Sequence, residues 1–212
     1  MRTWISPVCQ TLTDLLADLS AAASAMSGWE AMAVLLLIAY LVLAIRQNPL
    51  CWPAAIAGSG IYVFLMYDAG LYMESVLQIF YIAMALYGWW SWRHGWADNQ
   101  ELPVSNWPLA FHLPVLMLIV LFTGCSGWLL ETYSDAVFPY IDSFTTWAAI
   151  ITTWMVARKI LQNWHYWFVI DSISVYLYIS RGLYLTALLF CVYLVLILVG
   201  YRAWKRSIRL AT

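Results

Sequence analysis

Five polar or aromatic side chains recur at helical spacing late in the chain: Asn163, Trp167, Asp171, Ser174 and Tyr178. Steps of three and four place them on one face of a helix. An amide, an indole, a carboxylate, a hydroxyl and a phenol on one stripe suit a polar aromatic solute, and the carboxylate favours one with positive charge. Asp171 leads because its surroundings are apolar. A carboxylate within a membrane span costs about 3 kcal/mol on insertion scales and normally faces a water-filled cavity or a partner. The competing reading is a structural hydrogen bond between helices. A second stripe holds Glu74, Gln78 and Tyr81. Glu74 falls near the outer interface, where water can solvate it, while Gln78 lies deeper and needs a partner for its amide. Asp142 stands out among Ser143, Thr145 and Thr146, and again ahead of Thr152 and Thr153, because hydroxyls in membrane helices readily bond their own backbone.

No other catalytic or cofactor chemistry is visible. His94, His112 and His165 have no metal-ligand spacing, and Cys9, Cys51, Cys125 and Cys191 have no paired spacing. Phosphate-binding glycine loops, serine elbows and zinc motifs are missing, so no cofactor or metal is expected. An enzyme would require Asp171 and Asp142 to act as an intramembrane acid pair, and the chain is read as a non-enzyme.

The elements that must carry these residues follow from composition. Of the 212 residues, 64% are hydrophobic and only 10% charged, against about 45–50% and about 25% in soluble domains. Such a chain cannot cover itself with polar surface. A spanning helix takes about 20 apolar residues, and the sequence predicts seven, near 28–46, 49–67, 71–92, 108–130, 138–157, 162–180 and 183–203. Residues 1–27 lack a spanning run. Leu12, Leu15, Leu16 and Leu19 opposite Asp14 and Asp18 predict a short interfacial helix there. A signal peptide ending in the alanine-rich stretch 21–25 is the rival reading, but the aspartates interrupt its apolar core. The polar stretch 93–107 is a cytoplasmic linker, and 205–212 a basic cytoplasmic tail. Eight of the ten Lys and Arg residues fall on the side reached by odd-numbered spans, and only Arg2 and Arg181 on the other. That bias puts the N-terminus outside and the C-terminus in the cytoplasm. A net charge of −1 gives no reason to expect nucleic acid.

The chain also repeats itself. Gln47-Asn48 and Trp52 match Gln162-Asn163 and Trp167 at an offset of 115, which sets Asp171 opposite Ile56. Gly70-Leu71-Tyr72, Tyr81, Gly88 and Trp92 match Gly182-Leu183-Tyr184, Tyr193, Gly200 and Trp204 at an offset of 112. Spans one to three (28–92) thus match spans five to seven (138–204), with the fourth (108–130) as a link. An odd-numbered unit followed by one linking helix makes a parallel repeat, with a substrate site near the midplane between the units. Features shared by both halves read as packing and interfacial anchoring, with Trp92 and Trp204 at the cytoplasmic interface. Features of one half, such as Asp171 and Gln78 (matched by Phe190), read as function. The run of small residues from Ala54 to Gly60 provides close packing or room for a ligand.

Several motifs resemble one family: Leu77-Gln78, the run Tyr87-Gly88-Trp89-Trp90-Ser91-Trp92, Asp142-Ser143, Arg158-Lys159, Asn163-Trp164, Trp167 with Asp171, and Gly182-Leu183-Tyr184-Leu185-Thr186-Ala187-Leu188-Leu189. On them the chain resembles the PnuC-type vitamin transporters, bacterial permeases for nicotinamide riboside and related vitamins. The resemblance implies an all-α integral membrane protein of the inner membrane. Its seven helices would be arranged as three plus one plus three, like the SWEET sugar carriers, and a homo-oligomer is compatible with this. It also implies facilitated diffusion, with a cytoplasmic vitamin kinase trapping the solute. Gln78, Trp167 and Asp171 fall where the family contacts substrate. Nicotinamide riboside members carry asparagine four residues after that tryptophan, whereas this chain has Asp171. Thiamine, the cationic substrate of the PnuT-type members, is therefore the expected substrate, with nicotinamide riboside and a proton- or sodium-coupled carrier as the alternatives.

Overall fold

The computed structural model describes residues 20–21, 24, 26–68, 72–95, 102–134, 137–180 and 182–211, excepting the side chains of 72–74 and 211. Within these residues lie seven helices: α1 (Gly28–Ile45), α2 (Cys51–Asp68), α3 (Tyr72–His94), α4 (Leu109–Tyr133), α5 (Pro139–Ala157), α6 (Asn163–Ser180) and α7 (Tyr184–Ala211). Local signals set several ends. The Ser27 hydroxyl accepts from the Glu30 N–H and caps α1. Pro139 opens α5, where its missing N–H is not needed. The shortest helices have 18 residues, about 27 Å, close to the roughly 30 Å of a hydrocarbon core. α7 runs through the basic segment expected to be a separate tail. The interfacial helix expected within residues 1–19 and the linker residues 96–101 lie outside the described residues.

By length and composition three helices are apolar enough to cross a membrane: α1, α4 and the Tyr184–Leu210 part of α7. The sequence predicts seven crossings. The other four helices are less apolar because they carry the polar residues that turn inward, among them Ser59 on α2, Gln78 on α3, Thr153 on α5 and Asp171 on α6.

Packing divides the chain into two groups. α1 packs on α2 and α2 on α3; α5 packs on α6 and α6 on α7. The groups meet along α3–α5 and α1–α7, and α4 packs on α5 and reaches α6 through His112, which stacks on and hydrogen-bonds Tyr166. The linker docks on the second group. Ser105 N–H donates to the Lys159 carbonyl at 2.9 Å, and Leu161 N–H to the Ser105 carbonyl at 2.8 Å. Gln162 holds Trp107 through both its N–H and its carbonyl.

The turns after α1 and α5 share one pattern of backbone hydrogen bonds. In the turn after α1, Gln47 N–H donates to Ala44 and Asn48 N–H to Leu43; after α5, Lys159 N–H donates to Val156 and Ile160 N–H to Met155. Gln47 and Lys159 both adopt positive φ, 55° and 49°. Every equivalent pair is 112 apart. The 115 offset expected for the first block is therefore wrong: Trp52 corresponds to Trp164, and Asp171 to Ser59. The repeated Gln-Asn dipeptide misled the alignment, because Gln162-Asn163 starts α6 after the turn whereas Gln47-Asn48 lies within it.

The same register governs the core. A Cβ on Gly88 would overlap the Trp52 ring, and one on Gly200 the Trp164 ring, so glycine lets each indole lie against the third helix of its group. The Trp92 indole N–H donates to the Val156 carbonyl at 3.2 Å, and Trp204 to the Ala44 carbonyl at 3.0 Å, each bond crossing between the groups. Both tryptophans are fully buried, which corrects their expected place at the cytoplasmic interface. Their indoles make an interior tie; other tryptophans, such as Trp90 and Trp128, are the exposed ones.

Candidate functional site

A cavity of about 290 Å³ lies between the two groups. Sixteen of its nineteen lining residues form eight pairs 112 apart, so it straddles the seam on which the halves are matched. Its floor, toward the α1–α2 and α5–α6 turns, is formed by Trp52 and Trp164, which are backed by Trp92 and Trp204 in an edge-to-face chain of four buried tryptophans. Ring centroids are 5.3 Å apart for Trp52–Trp92, 6.0 Å for Trp92–Trp204 and 5.3 Å for Trp204–Trp164. Beside this floor the Lys159 ammonium sits 4.6 Å from the Trp92 ring centroid, a cation–π contact that offsets part of the cost of burying the charge.

Five of the residues singled out by sequence line this cavity: Gln78, Tyr81, Asn163, Trp167 and Asp171. Asp171 is buried at 4% exposure, and no described residue hydrogen-bonds its carboxylate. Tyr193 lies within electrostatic reach of it. Asn163 is fully buried. Its amide N–H donates to the Ile160 carbonyl while its Oδ1 has no described partner. Two buried hydroxyls of α5 and α6 are spent on their own backbone. The Thr153 hydroxyl donates to Ala149 at 2.7 Å and Ser174 to Ile170 at 3.0 Å.

Three expected residues whose side chains are described, Ser174, Tyr178 and Asp142, do not line the cavity. Ser174 is spent on its own backbone. Tyr178 packs against Phe190, with centroids 5.1 Å apart, and so stands behind a lining residue. The stripe on α6 is continuous, but the cavity closes above Asp171 where aromatic rings converge, and only its first three members reach the open space. Asp142 lies half-buried in the first turn of α5, away from the lining. The Glu74 side chain lies outside the described residues.

Sequence reasoning missed Tyr40, Ser59, Trp52, Trp164 and Tyr193 as lining residues. A single offset of 112 applied to the whole chain yields two of them from expected residues, since it maps Tyr81 onto Tyr193 and Asp171 onto Ser59.

An aromatic-walled cavity with a few convergent polar groups, set between two helix groups of an apolar chain, is the geometry of a membrane carrier for a small solute. A model of the nicotinamide mononucleotide transporter family matches residues 27–206, and the chain belongs to that family of PnuC-type vitamin transporters. It is similar to the nicotinamide riboside transporter PnuC of Escherichia coli K12, 26% identical over 175 residues that cover 70% of this chain and 73% of the relative. It is also similar to the riboflavin/roseoflavin transporter RibM of Streptomyces davaonensis, 25% identical over 167 residues covering 77% and 78%. A crystal structure of the vitamin B3 transporter PnuC superposes with a TM-score of 0.72 at 18% identity, covering 93% of this chain and 91% of the other, which shows the shared fold. Members of the family are transporters, so the activity sought at this cavity is passage of a solute.

Proposed function

We propose that the chain is an inner-membrane carrier for a cationic aromatic vitamin, nicotinamide riboside before thiamine. The observation that carries this reading is Asp171, a buried carboxylate in an aromatic cavity with no hydrogen bond from a described residue. A carboxylate kept in that setting is best matched by a ligand that brings positive charge, and Trp167 offers a face on which such a ring can stack. Nicotinamide riboside and thiamine both carry charge on an aromatic ring. The relatives favour the riboside, being described as nicotinamide riboside and riboflavin/roseoflavin transporters; thiamine gains no support from them. Gln78 supplies an amide contact to the solute and Tyr81 a phenol, while Asn163, fully buried with its amide N–H on Ile160, holds the start of α6 beside them.

In mechanism, two parallel three-helix repeats joined by α4 rock about the cavity to give alternating access. The shared 112-residue register and the reciprocal α3–α5 and α1–α7 seams support this reading. The Trp92 and Trp204 indole bonds cross those seams and must rearrange when the halves move. The turns bearing Arg46, Arg158 and Lys159 face the cytoplasm, with the N-terminus outside, by the charge bias of the loops. Transport is facilitated diffusion, with a cytoplasmic vitamin kinase drawing solute inward.

Calorimetry on the purified protein with nicotinamide riboside, thiamine and riboflavin tests the substrate. Riboside binding that falls at least tenfold in Asp171→Ala is the expected result. Thiamine binding without riboside binding would reverse the preference, and binding of none would overturn the reading. Uptake into liposomes that ignores imposed pH and sodium gradients is expected; dependence on either would replace facilitated diffusion by ion coupling.

A further inference from the structure

The two walls of the cavity are matched in position but not in chemistry. On α6, Trp167 and Asp171 stand one turn apart; at the corresponding places on α2 stand Ala55 and Ser59, and all four line the cavity. α2 and α6 do not pack on each other, so the open space separates these two walls. Where the second half presents an indole and a carboxylate, the first presents a methyl group and a hydroxyl. The bulk missing from α2 is the room that a solute stacked on Trp167 would fill.

Ser59 differs from the buried hydroxyls of α5 and α6 that bond their own backbone. Thr152, Thr153 and Ser174 each donate to the carbonyl four residues back, which leaves them little to offer a ligand. Ser59 is 4% exposed and makes no hydrogen bond with a described residue. Its oxygen is also not among the buried atoms sealed from the cavity without a partner. The group is thus buried from the outside, open to the cavity and unsatisfied, the condition under which a ligand partner contributes most.

We infer that Ser59 is a specificity residue that reads a hydroxyl of the solute's sugar, on the wall opposite the carboxylate that holds the charged ring. Asp171 selects for charge, and Ser59 selects the riboside over cationic rings without a sugar. This assignment rests on the proposed substrate class. The test is a thermodynamic cycle on the full chain: nicotinamide riboside and its 2′-, 3′- and 5′-monodeoxy analogues are titrated into wild type and Ser59→Ala. Removal of one hydrogen bond predicts riboside binding about fivefold to tenfold weaker in Ser59→Ala. One deoxy analogue should bind wild type and variant equally, since the hydroxyl that Ser59 reads is already gone. Equal weakening of the parent and all three analogues would overturn the assignment as a packing effect. Unchanged riboside affinity would overturn it outright while leaving the carrier reading intact. Failure of wild type to bind the riboside at all would overturn the substrate class and this assignment with it.

Discussion

The two halves of this carrier agree in the contacts that hold them together and differ along most of the cavity between them. Trp52 and Trp164 lie on Gly88 and Gly200, and Trp92 and Trp204 bond across the seam in reciprocal fashion. Along the cavity six of the eight pairs differ, among them Ser59 with Asp171, Gln78 with Phe190, Ala55 with Trp167 and Leu41 with Thr153, while Trp52 with Trp164 and Tyr81 with Tyr193 stay the same. A seam built of equivalent contacts lets two rigid groups change their angle while each contact has a counterpart that changes in the same way. A solute such as a charged ring with a sugar has no such symmetry. The lining can recognise both ends only by abandoning the repeat, so divergence along the seam marks the residues that face the ligand.

The sharpest way to break the comparison is to restore symmetry. Ala55→Trp places on α2 the indole that α6 already has at Trp167, and it fills the space between the walls. Binding should be lost while the protein remains folded and monodisperse, as size-exclusion chromatography would show. Trp167→Ala removes the stacking face instead. Cation–π and aromatic contacts of about 2 kcal/mol predict roughly thirtyfold weaker binding by calorimetry. Retained affinity in Ala55→Trp would place the solute elsewhere.

Much of this architecture was legible in the sequence because apolar runs, turn residues and loop charge act locally. Asp171, Trp167, Gln78, Asn163 and Tyr81 could be picked out because polar groups in apolar runs are costly and conspicuous. Ser59 was not conspicuous. A serine among alanines and glycines costs little to bury, and it becomes informative only once the register shows which residue faces it. The Gln-Asn dipeptide gave a false register because it copies residue types without copying their place in the turn. Tyr178 and Ser174 show the opposite error: helical periodicity assigns a face, but how far along that face the cavity extends depends on packing from α3 and α7.

The supporting half of the comparison predicts equal responses from equivalent substitutions. Gly88→Ala and Gly200→Ala each drive a methyl group into an indole, and overpacking of this kind costs about 1–3 kcal/mol. Thermal unfolding in detergent should shift downward by similar amounts for the two. A shift confined to one variant would mean that the halves are not equivalent supports.

The smallest expected effect falls on the crossing bonds. Trp92→Phe and Trp204→Phe keep a ring at each place but remove the indole N–H that reaches Val156 or Ala44, together with a few ring carbons at each fully buried site. Each lost bond should cost about 1 kcal/mol, the net worth of a typical hydrogen bond. Because both bonds cross between the groups, the cost belongs to this arrangement of the halves and not to either half alone. The variants should therefore bind solute with affinity within about threefold of wild type, yet exchange it across a liposome membrane at an altered rate. Trp92→Phe and Trp204→Phe should shift that rate in the same direction, because each removes the same tie from one of two equivalent seams. Opposite shifts would show that one seam opens while the other stays closed, and the rocking motion would then have a single hinge.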